Sequence, residues 1–202
     1  SDSDTFVLTV NNLNDAPTVN AIANETIFED ETFEMAVSGN DVDLDDVISF
    51  SASVDGNASA SVDGTALTVV PDLNYSGSIE VTVTATDIAG ETGQASFTLS
   101  VLAVNDAPVV DAILDHETDE DQAFEIVLSA SDVDGDDLSF SASVDGNALV
   151  SVDGTSLTVV PDLNYSGDIA VTVVVSDGEY SDSDTFVLTV NNLNDAPTVN
   201  PI

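Results

Sequence analysis

One stretch of this chain is written twice. Residues 61–83 (SVDGTALTVVPDLNYSGSIEVTV) and 151–173 (SVDGTSLTVVPDLNYSGDIAVTV) agree at 20 of 23 positions with a period of 90. FSASVDGNA occurs at 50–58 and 140–148, and NDAP at 14–17, 105–108 and 194–197. Residues 1–20 return unchanged as 181–200. A repeat of this length must bury a core of its own and join a unit like itself. Its phase divides the chain into the last strand of a preceding repeat (1–13), a first full repeat (14–104), a second (105–193) and the start of a following one (194–202). That pattern is expected of a piece cut from a longer array.

Within each repeat the apolar residues have period two, the spacing of a half-buried strand. Phe33, Met35 and Val37 alternate with polar neighbours, as do Ile79, Val81 and Val83, and Phe97, Leu99 and Val101. Asp-Gly pairs at 55–56, 63–64, 145–146 and 153–154 mark tight turns between strands. No segment shows helical spacing. The expectation is all-β: tandem seven-stranded Greek-key sandwiches.

Charge is the obstacle such a fold must overcome. The chain carries 39 Asp and Glu, no Lys, no Arg, no Cys and one His, a formal net charge of -39. Val, Ile, Leu and Phe make up 62 of 202 residues, well above the roughly 20% below which acidic chains fail to build a core. Folding therefore needs something to offset self-repulsion: marine or halophilic solvation, or bound divalent cations. The same composition excludes nucleic acid and anionic lipid as partners, since both need basic residues. No apolar run is long enough for membrane insertion. Disulfides and Lys or Cys nucleophiles are impossible.

The carboxylates gather where strands connect. The second repeat has DHETDED (115–121), SDVDGDD (131–137), PDLN (161–164) and SDGEYSDSD (176–184); the first has FEDE (28–31), NDVDLDD (40–46), PDLN (71–74) and TD (86–87). Ca2+, which takes about 6–8 oxygen ligands, suits such loops. Zinc does not, with no Cys and one His. An EF-hand also fails: counted from Asp132, Gly135 falls at position 4 and Ser143 at position 12, against the required Gly at about 6 and Glu at about 12.

The order along each repeat resembles cadherins: an acidic residue on the first strand, D-x-D after the second, an acidic step before the sixth, Ala/Ser-x-Asp after it, then N-D-x-P. NYSG, TDIAG or SDGEYS, and VNDAP or LNDAP are similar to the cadherin-like tandem repeats of giant bacterial (RTX-type) surface adhesins. The resemblance implies immunoglobulin/cadherin-like sandwiches with calcium clamped between neighbouring repeats of the same chain. Carried over residue by residue, it implies a junction built from Glu29 and Asp72 upstream, Asn105 and Asp106 in the linker, and Asp132, Asp134 and Asp177 downstream. Asn74 and Asn164 stand where the family has a second acidic residue, which implies one or two ions there and a weak or missing upstream one. Two partial sites follow: Asn14, Asp15, Asp41, Asp43 and Asp87 at one end, and Glu120, Asp121, Asp162, Asn194 and Asp195 at the other.

Other residues have plainer readings. A solvated acidic face is the bland account of any one cluster, Asp182 and Asp184 included. His116 is expected at the surface. Tyr75 and Tyr165 suit a hydroxyl bonded to backbone. Paired carboxylates could serve a glycosidase, but every pair is duplicated and no insertion builds a cleft, so no enzyme is expected. The function implied is a calcium-rigidified structural extender of a long secreted adhesin or filament, extracellular or on the bacterial cell surface. A carbohydrate- or cell-binding adhesion module is the alternative. Residues 1–13, with Phe6, Leu8 and Val10 alternating, either mark a fragment boundary or permit strand exchange with another copy.

Overall fold

The alternating stretches of both repeats fold as strands in the computed structural model, which describes residues 2–9, 11, 13–43 and 47–196. The chain forms two compact units, residues 1–104 and 105–202. The first unit contains β1 (Thr18–Val19), β2 (Glu25–Phe28), β3 (Phe33–Ala36), β4 (Gly39–Asn40), β5 (Ser49–Val54), β6 (Ala58–Asp63), β7 (Ala66–Pro71), β8 (Gly77–Thr86) and β9 (Thr92–Leu102). One sheet has the order β2-β9-β8-β5 and the other β3-β7-β6, while β1 pairs with β4. These are seven sandwich strands of which the first (β1, β2) and second (β3, β4) are each broken. The first strand changes sheets: β1 runs antiparallel to β4, and β2 runs parallel to β9, the last strand.

The second unit repeats this plan with β10 (Val109–Val110), β11 (His116–Asp119), β12 (Phe124–Val127), β13 (Ala130–Ser131), β14 (Ser139–Val144), β15 (Ala148–Asp153), β16 (Ser156–Pro161), β17 (Gly167–Ser176) and β18 (Ser181–Asn191). Its sheets are β11-β18-β17-β14 and β12-β16-β15, with β10 on β13. The fold is all-β, as the period-two pattern requires.

Alternation along each strand sends one set of side chains into the core. Leu67, Val69, Ile79, Val81, Val83 and Leu99 are fully buried in the first unit, and Leu157, Val159, Ile169, Val171, Val173 and Leu188 in the second. Each such side chain contributes about 1.5–3 kcal/mol over an exposed one.

Local turn chemistry fixes the register. Gly64 and Gly154, at φ 61° and 59°, supply the left-handed turns between β6 and β7 and between β15 and β16. Asn74 and Asn164 also sit at positive φ, 55° and 54°, where Asn is tolerated better than most residues. Their backbone N–H groups donate to Asp30 Oδ1 at 3.0 Å and Asp121 Oδ1 at 2.9 Å. The Tyr75 hydroxyl donates to the Ser78 carbonyl at 3.2 Å, and that of Tyr165 to the Asp168 carbonyl at 2.9 Å, the structural role expected of them. Tyr165→Phe is expected to cost about 1 kcal/mol, read as a lower midpoint in chemical denaturation with the slope unchanged.

One expectation is corrected and one bland account is set aside. His116 is half-buried on β11, its ring 4.9 Å from Phe124 and 5.9 Å edge-on from Phe186, so it seals the core edge and is not a surface residue. Asp182 and Asp184 are not a solvated face, because their carboxylates accept backbone N–H groups of Val110 and Ile113. Residues 2–9 copy the start of β18 yet form no strand, and Phe6 and Leu8 are exposed; Val10 lies outside the described residues.

Candidate metal centre

Each unit builds the same carboxylate constellation around its NDAP segment. In the second, the Asn105 side-chain amide donates to Asp177 Oδ2 at 2.8 Å and the Asp106 N–H to Asp134 Oδ2 at 2.7 Å. Asp132 Oδ1 accepts the N–H groups of Asp134 and Gly135 at 2.9 and 3.2 Å, closing the D-x-D loop on itself. In the first unit, Asn14 donates to Asp87 Oδ2 at 2.8 Å, Asp15 N–H to Asp43 Oδ2 at 2.8 Å and Asp43 N–H to Asp41 Oδ1 at 2.8 Å. Committing each Asn amide nitrogen to a carboxylate turns its carbonyl oxygen the other way, available to a hard cation.

The opposite end of each unit carries a buried glutamate. Glu29 is 6% exposed and accepts the Val104 N–H; Glu120 is 3% exposed and accepts the Leu193 N–H and the Asn192 side chain. Asp72 and Asp162 are exposed in the turns ahead of β8 and β17. Asn194 donates to the Asp195 carbonyl at 3.2 Å, the local bond that Asn14 and Asn105 also make. Of the seven residues assigned to the junction, Glu29 and Asp72 fall in the first unit and the other five in the second.

The donor set suits a hard divalent ion. Asp41 Oδ2 and Asp132 Oδ2 are buried without a hydrogen-bond partner, an expensive state for a carboxylate oxygen. Ligand atoms of Asp132, Asp134 and Asp136 all lie within 4.8 Å of one another. Asp136 was missed from sequence, although SDVDGDD displays it.

Electrostatics separates the roles. The Asn105 amide, with the N–H groups of Glu179 and Tyr180, holds the Asp177 carboxyl below its usual range, and Asn14 does the same for Asp87. Desolvation and the charges of Asp132, Asp134 and Asp177 push Asp136 up. A carboxyl raised in the fold favours folding while protonated and loses that benefit as pH rises through its folded value; the depressed Asp177 behaves in the opposite sense. Asp136→Asn is therefore expected to raise the melting temperature at neutral pH in chelator, by removing a charge the fold opposes. A fall in scanning calorimetry would contradict this.

Two seven-stranded sandwiches in succession along the chain, each with an acidic constellation around its N-D-A-P segment, define a class of tandem β-sandwich repeat. Comparison with known families gives its name: the description Bacterial Ig domain matches residues 14–100 and 105–191, and the chain belongs to that family, in two copies. Chitinase A of Pseudoalteromonas piscicida is 29% identical over 193 residues, 92% of this chain and 23% of the chitinase, so the chain spans under a quarter of that relative's length. Among solved structures, mouse cadherin-23 EC22-24 is 18% identical with a TM-score of 0.53, over 88% of this chain and 65% of that one. This likeness shows a shared cadherin-like fold. The protocadherin gamma-B4 ectodomain is 18% identical with a TM-score of 0.46, covering 86% and 34%. Among the described residues no helix is long and apolar enough to cross a membrane.

Proposed function

We propose that this chain is a pair of calcium-rigidified extender modules from a long, secreted bacterial surface adhesin of the RTX type or an extracellular filament. The observation that carries the reading is the twice-built constellation, each copy with a buried carboxylate oxygen lacking a partner, in a chain with no Lys or Arg to supply one. Asn105, Asp106, Asp132, Asp134 and Asp177 would hold ions from one side and Glu29 and Asp72 from the other. A calcium ion there supplies positive charge and shared ligands in place of carboxylate repulsion, which fixes the angle between modules. Multi-carboxylate sites of modest affinity suit the millimolar calcium outside cells. The modules are non-catalytic in this reading, and a match confined to under a quarter of a chitinase's length fits a spacer.

Small-angle scattering tests it. A maximum dimension that shortens, with signs of flexibility, when calcium is exchanged for chelator is expected; superimposable profiles would sink the proposal.

A further inference from the structure

The first and last strands of each unit are parallel neighbours. β2 pairs with β9 through Glu25–Phe28 and Leu99–Leu102, and β11 with β18 through His116–Asp119 and Leu188–Asn191. The chain enters a module just before the first strand and leaves after the last. Tension between the two ends therefore pulls the paired strands in opposite directions along one ladder. The ladder bonds are loaded together in shear and must break together; an antiparallel pair pulled at adjacent ends opens one bond at a time.

The two units differ at this seam. In the second, three side chains fasten the first strand to the last. Asp182 Oδ2 accepts the Val110 N–H at 3.0 Å, Asp184 Oδ2 accepts the Ile113 N–H at 2.7 Å, and Asp115 Oδ1 accepts the Val187 N–H at 2.8 Å. Asp184 is oriented by its other oxygen, which takes the Thr185 N–H at 2.8 Å. In the first unit Asn24 Oδ1 accepts the Thr98 N–H at 2.9 Å in the place of Asp115. The register partners Ala85↔Gly93 and Val83↔Ala95 match Val175↔Asp182 and Val173↔Asp184, so Gly93 and Ala95 stand where the two other carboxylates are. The Pro17 carbonyl lies directly against Gly93, leaving no room there for a side chain.

We infer that Asp182 and Asp184, by fastening this parallel seam in the second module alone, make that module mechanically stronger than the first without any cation. Hydrogen bonds to a charged acceptor are roughly twice as strong as neutral ones, and forced unfolding is governed by the unfolding rate, which bonds broken in the transition state control. Neither carboxylate belongs to the candidate metal centre.

The experiment is single-molecule stretching of the full chain by its ends, in chelator. Wild type is expected to give two populations of unfolding force. In Asp182→Ala plus Asp184→Ala the stronger module should unfold about tenfold or more faster at fixed load, with the weaker unmoved. Asp182→Asn plus Asp184→Asn removes the same charges but keeps an oxygen acceptor, as Asn24 does, and should recover part of the lost strength, falling between alanine and wild type. A single population in wild type, an alanine variant with both populations unchanged, or an asparagine variant as weak as alanine each overturns the inference. If the double alanine variant fails to fold, Asp184→Ala alone replaces it, with a smaller shift in the same population expected and no shift overturning the inference.

Discussion

In a hundredfold excess of calcium over its dissociation constant, the wild-type chain is expected to gain about 2.7 kcal/mol per filled site, a rise of roughly 10–20 °C in melting temperature for a domain this size. The Asp132→Ala plus Asp134→Ala chain should lose that gain in its second module. Asp132 gives the loop its turn through Oδ1, bonded to the N–H groups of Asp134 and Gly135, while its Oδ2 is buried without a partner. Asp134 holds the linker through the Asp106 N–H. Alanine therefore removes both scaffold and charge. Asp132→Asn plus Asp134→Asn separates them, because asparagine keeps an acceptor for the turn but withdraws two anionic ligands. In chelator the asparagine variant should melt at or above wild type, since repulsion with Asp136 and Asp177 falls; in calcium it should fall well below. Calorimetric titration of the same chains should show the matching loss of binding heat. A wild-type-like calcium response in both variants would remove calcium from the account of this loop.

The repeat and the period-two alternation were enough to reach the architecture, because both are properties of backbone and burial that any one module must satisfy alone. The residues that the N-D-A-P segment gathers were nearly as accessible: Asn105 with Asp177 and Asp106 with Asp134 are 72 and 28 residues apart, yet the ordered motifs name all four. What sequence could not give depended on three-dimensional neighbours. Asp182 and Asp184 look like any exposed acidic run, and only the crossing of the first strand between sheets brings the Val110 and Ile113 N–H groups to them. His116 sits in an acidic segment, so its charge context pointed outward, while the β11 register turned it onto Phe124 and Phe186. Asn74 looked only like a weakened ligand; that it sits in a left-handed turn with its N–H on Asp30 is something only the backbone reveals.

Phe186→Ala should unfold the second module selectively. Phe186 is 1% exposed in the middle of β18, with Phe124 at 6.1 Å and His116 at 5.9 Å around its ring. Truncating a buried Phe costs about 3–5 kcal/mol, from lost transfer energy and the cavity left behind. A small domain has only about 5–15 kcal/mol in total, and this one has no disulfide to fall back on. Calorimetry of the wild type should give closely overlapping transitions, because the two cores use nearly the same residues. In the variant one transition should drop by at least 10 °C while the other stays. Phe97→Ala, which removes the counterpart packed on Phe33 at 5.8 Å, should move the transition that Phe186→Ala leaves in place. Each module buries its own aromatic cluster, so each must bear its own loss. If both transitions fell together in either variant, the modules would be folding as one cooperative unit and not as independent sandwiches.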